Sequence, residues 1–407
     1  MKDRAIRAIA DCRHIATLTE EPGRTTRRFL TPPVHAVHAH LRSRMEALQM
    51  TTQTDAAGNL RGLWQPAGCG EKRLLIGSHI DTVPDAGAFD GVLGVVLALE
   101  LVALAQANKI PLDVEVIAFS EEEGVRFGVP FLGSRAVAGR FDPALLALKD
   151  ADGSTLEEAI REFGLDPDGL ATASAHEDSV GFFEIHIEQG PVLDTEGLKV
   201  AAVTGIVGQT RIGLEFRGHA NHAGTTPMNL RRDALAAAAE WISAVETASL
   251  KMEGLVATVG KLSVRPNAAN VIPGTAELSL DVRHASDAAR RNAVDNLRER
   301  AGAIAERRGL QLEWNRKSDE PAVPMDERLT AFLVDAMETC GFPARRMSSG
   351  AGHDAMVMAG RMPTAMLFLR SPEGISHHPS EAVRAEDVEA ALLVGLRFLE
   401  RLAADVR

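Results

Sequence analysis

The sequence predicts a mixed-sheet α/β domain that is discontinuous along the chain, with a smaller ferredoxin-like α+β domain inserted into it. The chain has 407 residues, which is too long for one ordinary core. Strand-like and helix-like segments alternate near both ends, as they do in α/β sheets. Between them the order changes to β-α-β-β-α-β, which is the ferredoxin-like order. We therefore expect one domain over 1–205 and 322–407 and an inserted domain over 206–321.

The first domain is predicted from short apolar runs that alternate with helical patterns. The N-terminal stretch as far as Gly23 reads as a charged amphipathic helix without the apolar core of a signal peptide. The predicted strands are Leu74–Ile76, Val114–Phe119, Phe182–Ile187 and Thr364–Leu369, and the predicted helices are 91–108, 134–139, 326–340, 353–359 and 385–404.

The inserted domain is predicted from two long helices set among four strands. The strands are Thr210–Phe216, Leu255–Val264, Thr275–Arg283 and Leu310–Arg316, and the helices are Leu230–Ala248 and Asp287–Arg308. Two turn signals, around Pro266 and Pro273, fall between the second and third strands. A hairpin connection is expected at that point of the order.

Composition excludes some classes of protein. The net charge of −12 argues against non-specific binding to nucleic acid or to an anionic membrane. The most apolar stretch, Val92–Ala105, contains Glu100 and is shorter than the about 20 residues that cross a bilayer. Cys12, Cys69 and Cys340 are few and odd in number, which favours a reducing compartment without disulfides. We therefore expect a cytoplasmic protein.

A first polar cluster follows the strand that precedes Ser78. His79 and Asp81 come at its C-terminal end, where open α/β sheets bind their ligands. Asp90 comes just before an apolar helix, so by itself it could be only a helix cap. One histidine and two aspartates this close together fit the start of a two-metal site.

Further clusters carry the same residue types. They are Glu121–Glu123 after a strand, Glu184, His186 and Glu188 on one strand, His219 and His222 in the insert, and His377 and His378 after the last strand. Each has an ordinary alternative: a solvated turn, a core histidine or a loop residue. Because loops at one edge of a sheet converge, these alternatives are not independent of one another.

The residue types suit a pair of divalent cations. Imidazole nitrogens and carboxylate oxygens bind zinc, and also manganese, cobalt or nickel. A carboxylate that bridges two cations holds them roughly 3.5–4 Å apart, and such a pair activates water. A free glutamate nearby would be a suitable base for that water.

Taken together, the clusters resemble the metal-dependent amidohydrolases of the carboxypeptidase–aminoacylase clan. Within it they most resemble the branch of N-carbamoyl-L-amino acid hydrolases, allantoate amidohydrolases and β-ureidopropionases. The resemblance covers nearly the whole chain, and EIHIEQGP and NHAGTTPM are its most specific motifs. The other matching stretches are GSHIDTVPDAGAFDG, AFSEEEGVRFGVPFLGSRAVAG, PNAANVIPG and GISHHPSE.

The resemblance implies two divalent metal ions in each subunit. The implied ligands are His79, Asp90, Glu123, His186 and His377. Asp90 would bridge the two ions, Glu122 would be the general base, and Asp81 would orient the His79 ring. The run of three glutamates permits a shifted register, but the family places base and ligand directly before Gly124. The family usually has one histidine at the position of His377, so His378 is taken as its neighbour.

The resemblance also implies that the insert is a lid and dimerisation domain. His222 would reach the active site, expected to be that of the partner subunit, and stabilise the developing oxyanion. Asn270 and Arg283 would bind a substrate carboxylate, which the planar guanidinium matches well. Gln189 would hydrogen-bond the ureido or carboxylate end of the substrate. His353 would line the pocket or cap a helix, and a homodimer is expected.

The implied reaction is hydrolysis of a linear amide bond in a small ureido compound that carries a carboxylate. Leu132, where allantoate enzymes tend to have a bulkier aromatic residue, favours N-carbamoyl-L-amino acids over allantoate, with β-ureidopropionate third. Two alternatives are a dipeptidase or aminoacylase of the same clan and a silent metal-binding scaffold. The first is disfavoured because those relatives usually have a carboxylate at the position of His186. The second is disfavoured because all ligand positions and Glu122 carry competent residues.

Overall fold

The structure, a computed structural model, describes residues 1–66 and 72–406 of the chain. The chain forms two compact units. The first comprises Met1–Thr204 and Pro324–Arg407, and the second comprises Gly205–Val323. Cys12 and Cys340 are free thiols, whereas Cys69 lies outside the described residues. Within the described ranges, we find no helix that is both long and apolar enough to span a membrane.

The helices and strands are numbered in chain order. The strands are β1 (Thr51–Thr54), β2 (Leu60–Trp64), β3 (Arg73–His79), β4 (Asp113–Phe119), β5 (Ser179–Ile187), β6 (Val200–Ile206), β7 (Gly208–Arg217), β8 (Asn221–His222), β9 (Val256–Arg265), β10 (Val271–Ile272), β11 (Thr275–His284), β12 (Gln311–Glu320), β13 (Val323–Pro324), β14 (Arg346–Ser349) and β15 (Thr364–Leu369). The helices are α1 (Lys2–Ala16), α2 (Pro32–Ala47), α3 (Val92–Ala107), α4 (Leu132–Val137), α5 (Leu156–Glu162), α6 (Val192–Glu196), α7 (Ala234–Lys251), α8 (Asp287–Arg308), α9 (Glu327–Thr339), α10 (Asp354–Met358) and α11 (Ala385–Asp405).

The first unit is built on a mixed sheet, which confirms the predicted α/β class. Its order is β1-β2-β4-β3-β5-β15-β6-β13, with β14 paired to β6. The central strands β4, β3, β5 and β15 run parallel, whereas β2 and β6 pair with their neighbours antiparallel. Every residue of β4 and β15 is buried, as expected of central strands that are covered on both faces. The carboxyl ends of the four parallel strands therefore open at one edge of the sheet.

Helix α3 is almost entirely buried and is apolar on all sides, so it has no solvent-facing stripe. Its one charged residue, Glu100, is 5% exposed. Arg4 and Arg44 donate hydrogen bonds to the two carboxylate oxygens of Glu100, at 2.7 Å and 2.8 Å. The pairs explain how a carboxylate is accommodated inside the core.

The second unit has a four-stranded antiparallel sheet of order β12-β7-β11-β9. Helices α7 and α8 pack against this sheet, and Trp241 of α7 is fully buried, with its indole N–H donated to the Leu297 carbonyl at 3.0 Å. The short pair β8 and β10 joins His222 to Val271 beyond one end of β7 and β11. The strands and long helices thus follow the β-α-β-β-α-β order expected from the sequence.

Several predicted boundaries were wrong, each for a local reason. Helix α7 begins at Ala234, four residues after the predicted start, because Asp233 caps it by accepting the Ala236 amide N–H at 3.0 Å. Helix α1 ends at Ala16, before the predicted Gly23. Helix α2 was not predicted, and its two opening prolines are well tolerated in a first helical turn.

Candidate metal centre

The predicted metal ligands of the first unit all lie at the carboxyl edge of the parallel strands. His79 is the last residue of β3, and His186 is the penultimate residue of β5. Glu123 lies in the loop after β4, and His377 lies in the loop after β15. Asp90 stands just before α3, whose N-terminus faces the same edge. The order of the strands thus brings together residues that are almost 300 positions apart in sequence.

One group consists of His79, Asp90 and His186, all of them buried. Asp90 Oδ1 lies 3.2 Å from His186 Nε2 and 3.6 Å from His79 Nε2. Each ring uses its other nitrogen on a main-chain carbonyl: His79 Nδ1 lies 3.0 Å from the Asp81 oxygen, and His186 Nδ1 lies 2.9 Å from the Ile187 oxygen. Because a carbonyl can only accept, both Nδ1 atoms carry the proton. Both Nε2 atoms are therefore left to face Asp90.

A second group shares the Asp90 carboxylate. Asp90 Oδ2 lies 3.1 Å from His377 Nε2, and Glu123 Oε1 lies 3.4 Å from the same nitrogen. Within this group, as within the first, one donor atom of each residue lies within 4.8 Å of those of the others. One oxygen of Asp90 therefore faces each group, as a bridging carboxylate would.

The donor atoms fit a pair of divalent cations. Asp90 Oδ1 and His186 Nε2 are buried and have no hydrogen-bond partner among the described residues. A buried polar atom without a partner lowers the stability of the folded protein. A cation bound by both Asp90 Oδ1 and His186 Nε2 would remove that cost. Two imidazoles and a carboxylate on one side, and an imidazole and two carboxylates on the other, are typical ligands of zinc or manganese.

The three consecutive glutamates point in different directions. Glu122 and Glu123 form a third group with His79. Glu121 is fully buried and belongs to none of these groups; its Oε1 instead accepts the Arg126 amide N–H at 3.3 Å. The geometry therefore favours the register in which Glu122 and Glu123 face the centre.

Asp81 fixes that register. Its two carboxylate oxygens accept the amide N–H groups of Glu122 and Glu123, each at 3.0 Å. Asp81 was expected to orient the His79 ring with its carboxylate. The shorter contact to that ring is from the Asp81 main-chain carbonyl, since the carboxylate oxygen lies 3.5 Å away. Asp81 thus positions both the histidine and the loop of glutamates.

Burial shapes the proton affinities in this centre. Desolvation raises the pKa of Glu122 well above its ordinary value, although the charge of His79 opposes this. Desolvation also raises the pKa of Glu123, to about 7. Burial would raise the pKa of Asp90 too, but the close approach of the His186, His377 and His79 rings outweighs it and holds the pKa well below its ordinary value. Asp90 is thus an anion, as a bridging ligand should be.

Gln189 lies at the centre itself. Its Nε2 donates to Asp90 Oδ2 at 3.0 Å and lies 3.4 Å from His377 Nε2. Its backbone has a φ of 60°, in the left-handed region, just after β5 ends. The side chain was expected to bind substrate, and here its amide N–H is directed at the Asp90 carboxylate.

Four residues near the centre were not given a clear role by the sequence. His353 is buried, and its ring centroid lies 4.4 Å from that of His186. Arg27 is fully buried and donates to the Ile80 carbonyl at 2.6 Å, next to His79. Ser376 and Glu381 contact the Asp90 region. Their only signal in the sequence is that they flank His377 in GISHHPSE.

Leu132 is fully buried in the hydrophobic core of the first unit. The substrate preference drawn from Leu132 therefore rests on similarity between sequences and not on an exposed position of this residue.

Three further predicted residues lie in the second unit. His222 and Asn270 are exposed and close together, because the Ala223 amide N–H donates to the Asn270 carbonyl at 2.9 Å. Arg283 lies near the other end of β11, where its Nε donates to Asp281 at 2.9 Å. From Thr275 to Arg283, β11 spans roughly 26 Å at about 3.3 Å per residue. Asn270 and Arg283 of one chain are therefore not brought together.

Comparisons with known proteins agree on one family. The sequence profile of the peptidase family M20/M25/M40 matches residues 75–405. An allantoate deiminase of Arabidopsis thaliana is 36% identical over 430 residues, which cover 97% of this chain and 81% of that protein. An N-carbamoyl-L-amino acid amidohydrolase of Geobacillus stearothermophilus is 38% identical over 368 residues, which cover 90% of each. A solved amidase of the hydantoinase/carbamoylase family from Burkholderia multivorans matches with a TM-score of 0.92 and 31% identity over 98% of both chains.

Proposed function

This chain belongs to the peptidase family M20/M25/M40, and we propose that it is a two-metal hydrolase of N-carbamoyl-L-amino acids. It is a hydrolase of C–N bonds other than peptide bonds, since its relatives are amidohydrolases. One observation carries the two-metal proposal: the buried Asp90 carboxylate faces a histidine pair with one oxygen and His377 with the other.

We assign His79, Asp90 and His186 to one ion, and Asp90, Glu123 and His377 to the other. When bound, such ions polarise the carbamoyl carbonyl and lower the pKa of water toward roughly 7. The same donor set accepts zinc, manganese, cobalt or nickel, so the metal is set by availability as much as by the protein.

Glu122 is the proposed general base. Its carboxylate would take a proton from the attacking water as the oxygen adds to the carbamoyl carbon. The same proton would then pass to the nitrogen that leaves when the C–N bond breaks. One water is consumed, and the products are ammonia, carbon dioxide and an amino acid. The position of Glu122 beside His79 and Glu123 supports this role, and burial raises its pKa, which favours uptake of the proton.

His222 is the proposed oxyanion donor, and its hydrogen bonds suit that role. Its Nδ1 accepts the amide N–H groups of Gly224 at 3.0 Å and Thr225 at 3.2 Å. A nitrogen that accepts cannot carry the proton, so the neutral ring holds it on Nε2. Arg231 supports the turn, since it donates to the Ala223 and Thr226 carbonyls. His222 thus presents an N–H group to a developing negative charge.

Asn270 and Arg283 are the proposed partners of the substrate carboxylate. Because they lie at opposite ends of β11, one site would take Asn270 from one chain and Arg283 from another. Such a division between chains supports the expected homodimer, in which each chain would contribute residues of its inserted domain to the active site of its partner. The exposed edge strand β9, with Val256 and Leu262 on its surface, is the proposed contact.

Allantoate is a second candidate substrate. Four plant allantoate deiminases match 97% of this chain at 36–37% identity, about as well as the carbamoyl amino acid hydrolases do. Both substrates contain a terminal ureido group and a carboxylate, so the centre described above serves either one.

The test measures ammonia released by the metal-reconstituted protein from N-carbamoyl-L-amino acids, allantoate and β-ureidopropionate, and free amino acids released from a dipeptide, assayed side by side. Preference for N-carbamoyl-L-amino acids supports the proposal, and preference for allantoate replaces it with the second candidate. Hydrolysis of the dipeptide alone would contradict both. A protein that binds both ions and hydrolyses none of the four would be a metal-binding scaffold.

A further inference from the structure

Glu381 is a buried carboxylate that joins the two loops of the metal centre. It is 6% exposed. Its Oε1 accepts the amide N–H groups of Phe89, at 2.8 Å, and Asp90, at 3.0 Å. Its Oε2 accepts the hydroxyl of Ser376, at 3.2 Å. One side chain thus holds the loop of the bridging carboxylate and the loop of His377.

The chain packs closely against Glu381 at Gly87. A Cβ atom added at Gly87 would lie 2.3 Å from the Glu381 Cβ and 2.5 Å from its Oε1. The Ser376 hydroxyl oxygen also lies 3.2 Å from Asp90 Oδ2. The Ser376 hydroxyl thus lies between the Glu381 and Asp90 carboxylates, and its single proton can be donated to one of them at a time.

The centre needs such a tie because its ligands differ in how firmly the fold holds them. His79 and His186 lie on central strands, whose ladders fix their backbone. Asp90 and His377 lie on connecting segments, and His377 has a φ of 55°, in the left-handed region. Loops are held only by the contacts they make, and residues outside the ligand set commonly fix a ligand's orientation.

We propose that Glu381 is a positioning residue that holds Asp90 and His377 at one mutual distance. It would thereby set the affinity for the ion assigned to Asp90, Glu123 and His377. This inference rests on the proposed two-metal function. It predicts that Glu381 matters more for that ion than for the ion assigned to His79, Asp90 and His186, because two of the three ligands of the latter ion are positioned by strands.

The experiment compares the wild-type chain with Glu381→Ala, Glu381→Gln and Glu389→Ala. Glu389 is a partly buried glutamate of α11, outside the centre, and serves as the matched control. The readouts are bound zinc per chain after dialysis, zinc affinity by competition with a chromophoric chelator, and the circular dichroism spectrum.

We expect Glu381→Ala to keep its fold and one tight ion while its affinity for the second falls roughly 10- to 100-fold. In Glu381→Gln the amide oxygen can still accept both N–H groups, so we expect this variant to retain most of the affinity. Should Glu381→Ala fail to fold, Ser376→Ala gives the second test, with a smaller weakening of the same ion.

Two outcomes would overturn the inference while the proposed function stands. One is that Glu381→Ala binds both ions like the wild type, and the other is that both ions weaken equally. A wild-type chain that binds no zinc, or only one ion, would instead overturn the two-metal function, and this inference with it.

Discussion

Glu122 and Glu121 are adjacent buried carboxylates with different surroundings, and they allow a direct test of the proposed base. We expect Glu122→Gln to keep both ions but to lose roughly 10²- to 10⁴-fold in kcat, because an amide cannot take the proton. Activity is measured as ammonia release, and metal content by elemental analysis.

The matched control is Glu121→Gln. Burial raises the pKa of Glu121 well above its ordinary value, which favours the uncharged form, and an amide matches that form in shape and charge. We expect near wild-type turnover. If Glu121→Gln were the inactive variant and Glu122→Gln the active one, the assignment of the base would be wrong.

His38 gives a prediction about stability that is independent of the active site. It is 4% exposed in α2, its ring packs edge-on against Phe163, and burial lowers its pKa to about 3. In the unfolded chain the pKa would be about 6.5. Between these values the unfolded state binds one more proton than the folded state, so stability is lost as the pH falls below about 6.5.

We therefore expect His38→Leu to remove part of the acid sensitivity. One pKa unit corresponds to about 1.4 kcal/mol, so the wild type should lose roughly 2 kcal/mol more than the variant between pH 7 and pH 5. Urea unfolding of both proteins at the two pH values measures this, and all other groups cancel in the difference. An equal loss in both proteins would mean that His38 is not buried in its neutral form.

At the residue scale, the sequence predicted side chains that act through their own chemistry. Histidines and carboxylates after apolar strands signal metal ligation, and the structure groups the predicted ligands around Asp90. Glu381 and Arg27 could not be predicted in this way, because they act through hydrogen bonds to main-chain groups of distant segments. These hydrogen bonds depend on how distant loops pack against one another, and the order of residue types along the chain does not reveal that packing.

Among the secondary-structure elements, the entry to α3 is the most constrained. Gly91 has a φ of 65°, and a Cβ added to it would lie 2.4 Å from Nε2 and Cδ2 of His79. We expect Gly91→Ala to displace the His79 ring and to abolish binding of the ion assigned to His79, Asp90 and His186. Bound metal per chain measures the effect.

Gly302 provides the control for that substitution. It lies in the middle of α8, with no atom within 4 Å of an added Cβ. We expect Gly302→Ala to keep both ions and to stabilise the protein by roughly 0.5–1 kcal/mol, because alanine favours the helix. Normal metal content in Gly91→Ala would show that the loop can relax, and that the ligand geometry does not depend on glycine.

At the scale of secondary-structure elements, the period of the hydrophobic pattern and the length of each segment predicted most strands and helices. The ends of these elements depend on individual contacts. The long helix Asp287–Arg308 has the predicted bounds, because Ser286 caps its start and Gly309 follows its last residue. The start of helix α7 was placed too early, at Leu230, because the capping contact of Asp233 sets the true start at Ala234. Short strands such as β8 and β10 carry no period at all, and only their mutual pairing defines them.

For the whole molecule, the sequence indicated a change of pattern near Gly205 and a return near Pro321. The second compact unit runs from Gly205 to Val323, and the insert was predicted over 206–321. The order of helices and strands along the chain reveals such a change, because an α/β domain and an α+β domain arrange these elements in different orders. How two chains assemble depends on their surfaces, and the order of helices and strands in the sequence does not reveal it. The dimer is instead proposed because Asn270 and Arg283 lie too far apart in one chain to serve the same site.

That distance leads to a test at the scale of the assembly. If one site takes His222 and Asn270 from one chain and Arg283 from the other, His222→Ala and Arg283→Ala should each be nearly inactive alone. Mixed under conditions that exchange subunits, half of the symmetric dimers become hybrids, each with one intact site and one doubly defective site. We expect recovery of about a quarter of wild-type ammonia release.

A second mixture distinguishes subunit exchange from any other rescue. His222 and Asn270 lie at the same end of the second unit, so in a hybrid of His222→Ala with Asn270→Ala each site still carries one defect. We expect this mixture to stay inactive, although its subunits exchange equally well. Recovery in both mixtures, or in neither, would mean that the site is not divided between chains at β11, and the proposed dimer would have to be abandoned. Recovery in the first alone requires His222 and Arg283 to serve one site from two chains, because no single chain in that mixture has both.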